Sequence, residues 1–170
     1  MLRVFCAPRG SASGSASVYS LLEYAISVVF GKVLPEIKKT PNGKPYFPAE
    51  PQMHFSLSHA RTHVLCAVSD RPVGADIESP RFISDLAIRY FSLPEELSVF
   101  SPLDLWVLKE SYIKLFGGTL KMVKSVHFSY ENGSIVSSAN SSFSKLYYIE
   151  SCSAAISSSY DTFPDSIELV

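Results

Sequence analysis

The sequence predicts an α+β fold of two similar lobes, each a small, mainly antiparallel sheet packed on a helix. Two observations carry that expectation. The order strand, helix, strands occurs in residues 1–70 and again in 71–170, although no repeat of fixed period is visible. With 46% hydrophobic and 12% aromatic residues among 170, the chain can bury the core of one compact domain or of two small halves that share one. The expected division is an N-terminal lobe over 1–70 and a C-terminal lobe over 71–170.

Leu2 to Ala7 reads as a strand, and the Gly/Ser/Ala stretch from Arg9 to Ser17 reads as a loop. Val18, Leu21, Leu22, Ala25, Ile26, Val29 and Phe30 recur at helical spacing, with Ser17 as a cap and Gly31 as a stop. Short extended pieces follow at Ile37 to Thr40 and His54 to Leu57, around a Pro-Asn-Gly-Lys-Pro turn at 41–45. Val64 to Ser69 and Val73 to Ile77, separated by Asp70-Arg71-Pro72, suit a tight antiparallel hairpin. The stretch from Ile83 to Gly117 is helical in pattern. Ser92-Leu93-Pro94-Glu95-Glu96 starts one short helix, Ser101-Pro102 starts a longer one, and Gly117-Gly118 ends it. Strands return at Ser125 to Tyr130, Lys145 to Glu150, Cys152 to Ser158 and Ile167 to Val170, with Glu131-Asn132-Gly133 as a hairpin turn.

Composition excludes several classes of function. A net charge of -1 leaves no field for a general nucleic-acid binder. The most apolar run, Leu21 to Phe30, contains Glu23 and is far shorter than the ~20 residues of a membrane span. The first residues lack the apolar run of a signal peptide, so a cytoplasmic protein is expected. Cys6, Cys66 and Cys152 each lie in an apolar setting without metal-pair spacing, and read as reduced core thiols.

Three constellations carry chemistry. In Val73-Gly74-Ala75-Asp76-Ile77-Glu78 the two acids stand two apart on a strand, hence on one face, where a divalent cation would offset their repulsion; the alternative is a strand end with two hydrated acids. In Trp106 to Lys114, Glu110 and Lys114 share a helix face, which is either functional or a surface pair worth about 0.3–0.5 kcal/mol. Lys109 falls in the apolar arc of that helix, so it either snorkels to solvent or pairs with a buried acid. Third, Gly43 permits the turn that presents Lys44 from a rigid loop, and Ser58 and His59 leave a strand where both can donate to phosphate; the alternative for His59 is a structural role. Together these specify a divalent metal between carboxylates and a cationic rim, equipment for a diphosphate.

Gly43-Lys44-Pro45, Phe55-Ser56-Leu57-Ser58-His59, Val73 to Glu78, Phe91-Ser92-Leu93-Pro94-Glu95-Glu96-Leu97 and Trp106 to Lys114, in this order, resemble the motifs of the Sfp-type 4'-phosphopantetheinyl transferases. The resemblance covers about residues 41–118 closely, and Asp161-Thr162-Phe163-Pro164 loosely. It implies two α+β halves with the active site in the cleft between them. It also implies transfer of 4'-phosphopantetheine from coenzyme A to a serine of an acyl or peptidyl carrier protein, with release of 3',5'-ADP. Carried over by position, Asp76, Glu78 and Glu110 would bind Mg²⁺, with Glu110 alternatively the base, and Lys114 would face the phosphates. Gly43, Lys44, Ser58 and His59 would hold the phosphate end of coenzyme A. Arg81, Arg89, Phe91, Lys121 and Lys124 are candidates for docking an acidic carrier. A monomer is expected, because two internal halves supply the cleft.

The sequence departs from the family pattern at Val107, where a small polar residue is usual, and at Ala75, where a larger aliphatic is usual. The Gly/Ser stretch from Arg9 to Ser17 also stands where relatives carry a further basic helix, which implies a shortened N-terminal half and a weaker grip on the 3'-phosphate. Two other readings of the same residues are a metal-dependent hydrolase of a nucleotide diphosphate and a non-catalytic coenzyme A or carrier-protein binder.

Overall fold

The computed structural model describes residues 1–10 and 14–170, so positions 11–13 of the expected Gly/Ser loop lie outside the described residues. It is an α+β fold built on two main sheets. The first has the order β11 (Glu168–Leu169), β1 (Leu2–Pro8), β5 (His63–Ser69), β4 (His54–His59). The second runs β6 (Val73–Glu78), β10 (Cys152–Ser158), β9 (Phe143–Ile149), β8 (Ser134–Ser137), β7 (Phe128–Glu131). All pairings are antiparallel except β1 with β11. A small ribbon, β2 (Lys38–Lys39) with β3 (Pro45–Tyr46), carries the 41–45 turn.

Strand alternation divides the apolar side chains between layers. Val4, Cys6, Leu65, Ala67, Val73, Ala75, Ile77, Ala154 and Ile156 fill the space between the sheets. Phe5, Val64, Cys66 and Val68 face the other way, under Leu21, Leu22, Ala25 and Ile26 of α1 (Gly14–Phe30). On the outer side of the second sheet, α4 (Pro102–Phe116) buries Leu105, Val107, Leu108 and Tyr112. The order of layers is therefore helix, sheet, sheet, helix, and the three cysteines are buried and free as expected.

The start and stop signals of α4 act as read. Ser101 Oγ accepts from Asp104 N at 3.1 Å, Pro102 opens the first turn, and Gly117 closes the helix in the left-handed region at φ 64°. Two short helices precede it, α2 (Asp85–Phe91) and α3 (Pro94–Leu97), and a 3₁₀ turn over Leu120–Lys124 follows.

Two expectations about the chain path are corrected. Helix α1 spans Gly14–Phe30 rather than starting near Ser17, and Ser17, already within its first turn, donates Oγ to Arg9 O at 2.6 Å. Poor helix propensity in this segment is overridden by packing. Gly14 is buried so closely that a Cβ there would lie 3.1 Å from the His59 ring. Asp70-Arg71-Pro72 is not a hairpin turn. Strand β5 already has β1 on one edge and β4 on the other, so it has no free edge for β6, and the three residues instead carry the chain across to the second sheet.

Candidate active site

The edges β4 and β6 of the two sheets meet, and the site forms where α4 crosses them. Because Val73, Ala75 and Ile77 face the inter-sheet core, Gly74, Asp76 and Glu78 face α4. Gly74 lets the helix approach, and Asp76 meets Lys114 there, with Nζ donating to Oδ1 at 2.6 Å. Lys114 also donates to Ser58 Oγ at 3.0 Å and to Leu57 O at 3.3 Å. Ser58 Oγ in turn donates to Asp76 Oδ1 at 2.7 Å. Asp76 is 5% exposed, and its second oxygen, Oδ2, is buried with no hydrogen-bond partner among the described residues.

Glu78 and Glu110 border this pair. Burial first, and then the negative charge of Asp76, push both carboxyls above the ordinary range, while Lys114 and Arg81 oppose the rise. Arg81 Nε stands 3.6 Å from Glu78 Oε2 and its guanidinium lies over the Trp106 ring. Among the described residues no three acids, imidazoles or thiols close into a metal cage. A closed cage is not what a hard cation such as Mg²⁺ requires when a substrate phosphate completes its shell. An orphaned buried carboxylate oxygen and two neighbouring acids with raised pKa values fit such a cation.

The residues expected to hold phosphate divide between two adjoining hollows. Gly43, Ser58 and His59 line one of about 200 Å³ together with Lys39 and Pro45. Lys44 and Lys114 line the other, of about 220 Å³, with Asn42 and Gly117. The 41–45 turn is docked on the end of α4, where Lys44 Nζ donates to Leu115 O at 2.6 Å and Asn42 Nδ2 to Gly117 O at 3.1 Å. Burial pulls the Lys44 ammonium down to about 8. A roomier cavity of about 710 Å³ opens between β9 and the 165–170 segment, and none of the expected site residues lines it.

Lys109 does not snorkel. It is 0% exposed and donates to Glu96 Oε2 at 3.3 Å, Val123 O at 3.0 Å and Val126 O at 2.7 Å. Glu96 also accepts from Leu93 N and Phe128 N, both at 2.9 Å, and stands 3.3 Å from His127 Nδ1. Lys109 therefore anchors one side of α4 while its neighbour Glu110 borders the site on another.

One docking candidate is corrected. Phe91 is 2% exposed and packs edge-on against Trp106, so it belongs to the core under α4. The apolar side chains exposed in that region are Phe82, Leu86, Tyr90 and Leu120, interspersed with Arg81, Arg89, Lys121 and Lys124. Lys39 and Arg9 were missed by sequence reasoning. A Cβ at Gly14 would lie 3.2 Å from Arg9 Cζ as well as against the His59 ring, so Arg9 stands beside His59 at the start of α1, and Lys39 lines the same hollow as His59. In sequence Arg9 is a lone basic residue and Lys39 is half of the pair Lys38-Lys39, both indistinguishable from solvated surface.

A paired acid and lysine, two further acids and a cationic rim on an α+β fold are groups that suit phosphoryl transfer. The relatives of the chain are of that class. It is 43% identical over 91 residues to a 4'-phosphopantetheinyl transferase of Bacillus subtilis, covering 47% of this chain and 40% of the relative. It is 37% identical over 90 residues to 4'-phosphopantetheinyl transferase Sfp of Bacillus subtilis strain 168, with the same coverages. It is also 34% identical over 117 residues to 4'-phosphopantetheinyl transferase AcpT of Escherichia coli K12, covering 61% of this chain and 60% of the relative. No family model matches. Through about half its length the chain is similar to 4'-phosphopantetheinyl transferases, and the matches span less than two thirds of those relatives' own length.

Proposed function

We propose that the protein transfers the 4'-phosphopantetheine group of coenzyme A to a serine hydroxyl of an acyl or peptidyl carrier protein. The observation that carries this reading is the convergence of Asp76, with its unpartnered Oδ2, and Lys114 beside Glu78 and Glu110. Asp76 and Glu78 would hold Mg²⁺, with Glu110 at its border. When bound, the cation neutralises diphosphate charge.

The protein's own groups do the rest. In the reaction the serine oxygen bonds to the phosphorus that bears pantetheine, and the bond from that phosphorus to the 3',5'-ADP oxygen breaks. Glu110 accepts the serine proton. Burial and two neighbouring acids raise its affinity for a proton, the property a general base near neutral pH needs. Lys114, drawn from Asp76, stabilises the charge that develops on the 5'-phosphate of the departing 3',5'-ADP, and Lys44 holds the phosphate end from its rigid turn. Gly43 allows that turn at φ 88°, and His59, with Lys39 and Arg9 near it, faces the 3'-phosphate.

Residues of 1–70 supply Lys44, Ser58 and His59, and residues of 71–170 supply the acids and Lys114. The cleft between the lobes is therefore the site, and one chain completes it as a monomer. Among the described residues no helix is long and apolar enough to cross a membrane. The basic residues Arg81, Arg89, Lys121 and Lys124, set among exposed Phe82, Leu86 and Leu120, form the docking face for an acidic carrier.

The test is incubation of an apo carrier protein with coenzyme A, with and without Mg²⁺. A Mg²⁺-dependent mass gain of one phosphopantetheine group, with release of 3',5'-ADP, is expected. Cleavage of coenzyme A without carrier modification would instead assign a hydrolase.

A further inference from the structure

We propose that Ser58 is a positioning residue for the cation-facing carboxylate rather than a donor to phosphate. The inference rests on the reading above, that Asp76 takes a divalent cation. It follows from an accounting of hydrogens. A serine hydroxyl has one hydrogen to give, and that of Ser58 is directed to Asp76 Oδ1 at 2.7 Å. Its oxygen meanwhile accepts from Lys114 Nζ at 3.0 Å, and Lys114 reaches the same Oδ1 at 2.6 Å.

Ser58, Asp76 and Lys114 thus close a ring in which one carboxylate oxygen has two donors and the other, Oδ2, has none though buried. Pinning Oδ1 from two directions fixes the plane of the carboxylate and the direction in which Oδ2 points. That is the service an outer hydrogen-bonding partner performs for a metal ligand. Although Ser58 lines the phosphate-side hollow, giving its hydrogen to a phosphate would leave Oδ1 to Lys114 alone, the very group the reaction needs to draw away.

The geometry of β4 supports a dedicated role. Ser56, two residues earlier on the strand, also reaches across the seam, but its Oγ accepts from the backbone Ala75 N at 2.9 Å, and among the described residues no hydrogen bond joins it to a site carboxylate. The two serines therefore lash the same pair of sheet edges, and only Ser58 touches Asp76. His59, the next residue, is exposed and lies against the start of α1.

Mn²⁺ binding to the full-length chain, followed by electron paramagnetic resonance without coenzyme A, separates the alternatives. S58A should weaken Mn²⁺ binding by about 10- to 100-fold, S58T should restore most of it, and S56A should bind as wild type. With EDTA present, S58A should bind coenzyme A as tightly as wild type. Mn²⁺ affinity unchanged in S58A, equal losses in S56A and S58A, or weaker coenzyme A binding by S58A in EDTA would each overturn the inference. D76N is the control on the underlying reading. If the wild type binds no Mn²⁺ or D76N binds it undiminished, the cation site itself is wrong; if D76N loses it and S58A does not, only the role of Ser58 is. Should S58A fail to fold, S58C, close in volume but a weak donor, is expected to show the same loss, and undiminished affinity there refutes the proposal.

Discussion

Gly74 on β6 lies so close to Ser111 on α4 that a Cβ on the glycine would stand 1.9 Å from the Ser111 carbonyl oxygen and 2.4 Å from Leu115 N. Backbone meets backbone here, so no flexible side chain can give way. The contact sets how near Lys114 comes to Asp76, two residues along the same strand face. Gly74→Ala should push α4 off the sheet, cost at least the ~1–3 kcal/mol of an overpacked core, and abolish transfer. Thermal unfolding and a transfer assay together check it; a variant with wild-type stability and activity would show that the crossing is not critical.

Lys44 makes stability rise with pH. Its ordinary value is 10.5 and burial lowers it to about 8 in the folded chain. Between these values the unfolded state keeps a proton that the folded state has released, so stability increases across that window. Below about pH 8 both states are charged and the cost of burying the ammonium persists in full. Urea unfolding across the window should show this slope, and Lys44→Met should flatten it. Coenzyme A affinity should move oppositely, falling as the ammonium is lost; a pH-independent affinity would remove Lys44 from the phosphate site.

The buried pair Glu96 and Lys109 ties α3, α4 and the segment before β7 together. Removing one partner leaves the other charge without compensation, so Lys109→Met should destabilise by about 3–5 kcal/mol. Combining it with Glu96→Gln should cost less than the sum of the single changes. Strict additivity in urea unfolding would mean the two do not interact.

Much of this architecture is legible in sequence where local chemistry alone decides. Ser101-Pro102 and Gly117 bound α4 because capping needs only neighbouring residues, and the two-residue spacing of Asp76 and Glu78 sets them on one face. The Asp70-Arg71-Pro72 crossing is not legible. The same tight turn serves a hairpin or a change of sheet, and the choice depends on β1 and β4 having taken both edges of β5. Nor is the role of Phe91, because a seven-residue helix permits several buried faces and packing against Trp106 selects one. The hydrogen bond from Ser58 to Asp76 joins two strands of different sheets, and no spacing in the sequence encodes it.

Charge on the proposed docking face should govern recognition of the carrier and not of coenzyme A. Reversing Arg89 and Lys121 to Glu should raise the carrier KM by about tenfold, the lower end of charge-steered effects, and leave coenzyme A affinity unchanged. Leu86→Asp should act in the same direction, since Leu86 is 81% exposed and its loss costs the fold little. An unaltered carrier KM in both would place the docking face elsewhere.

Phosphopantetheinyl transfer by Asp76, Glu110 and Lys114, as proposed, is open to a single experiment. The most direct measurement is mass spectrometry of an apo carrier protein after reaction with coenzyme A and Mg²⁺, comparing wild type with Asp76→Asn and Glu110→Gln, each shown to be folded by circular dichroism. One added phosphopantetheine group is expected with the wild type and none with either variant. Full modification of the carrier by a folded Asp76→Asn or Glu110→Gln protein would contradict it.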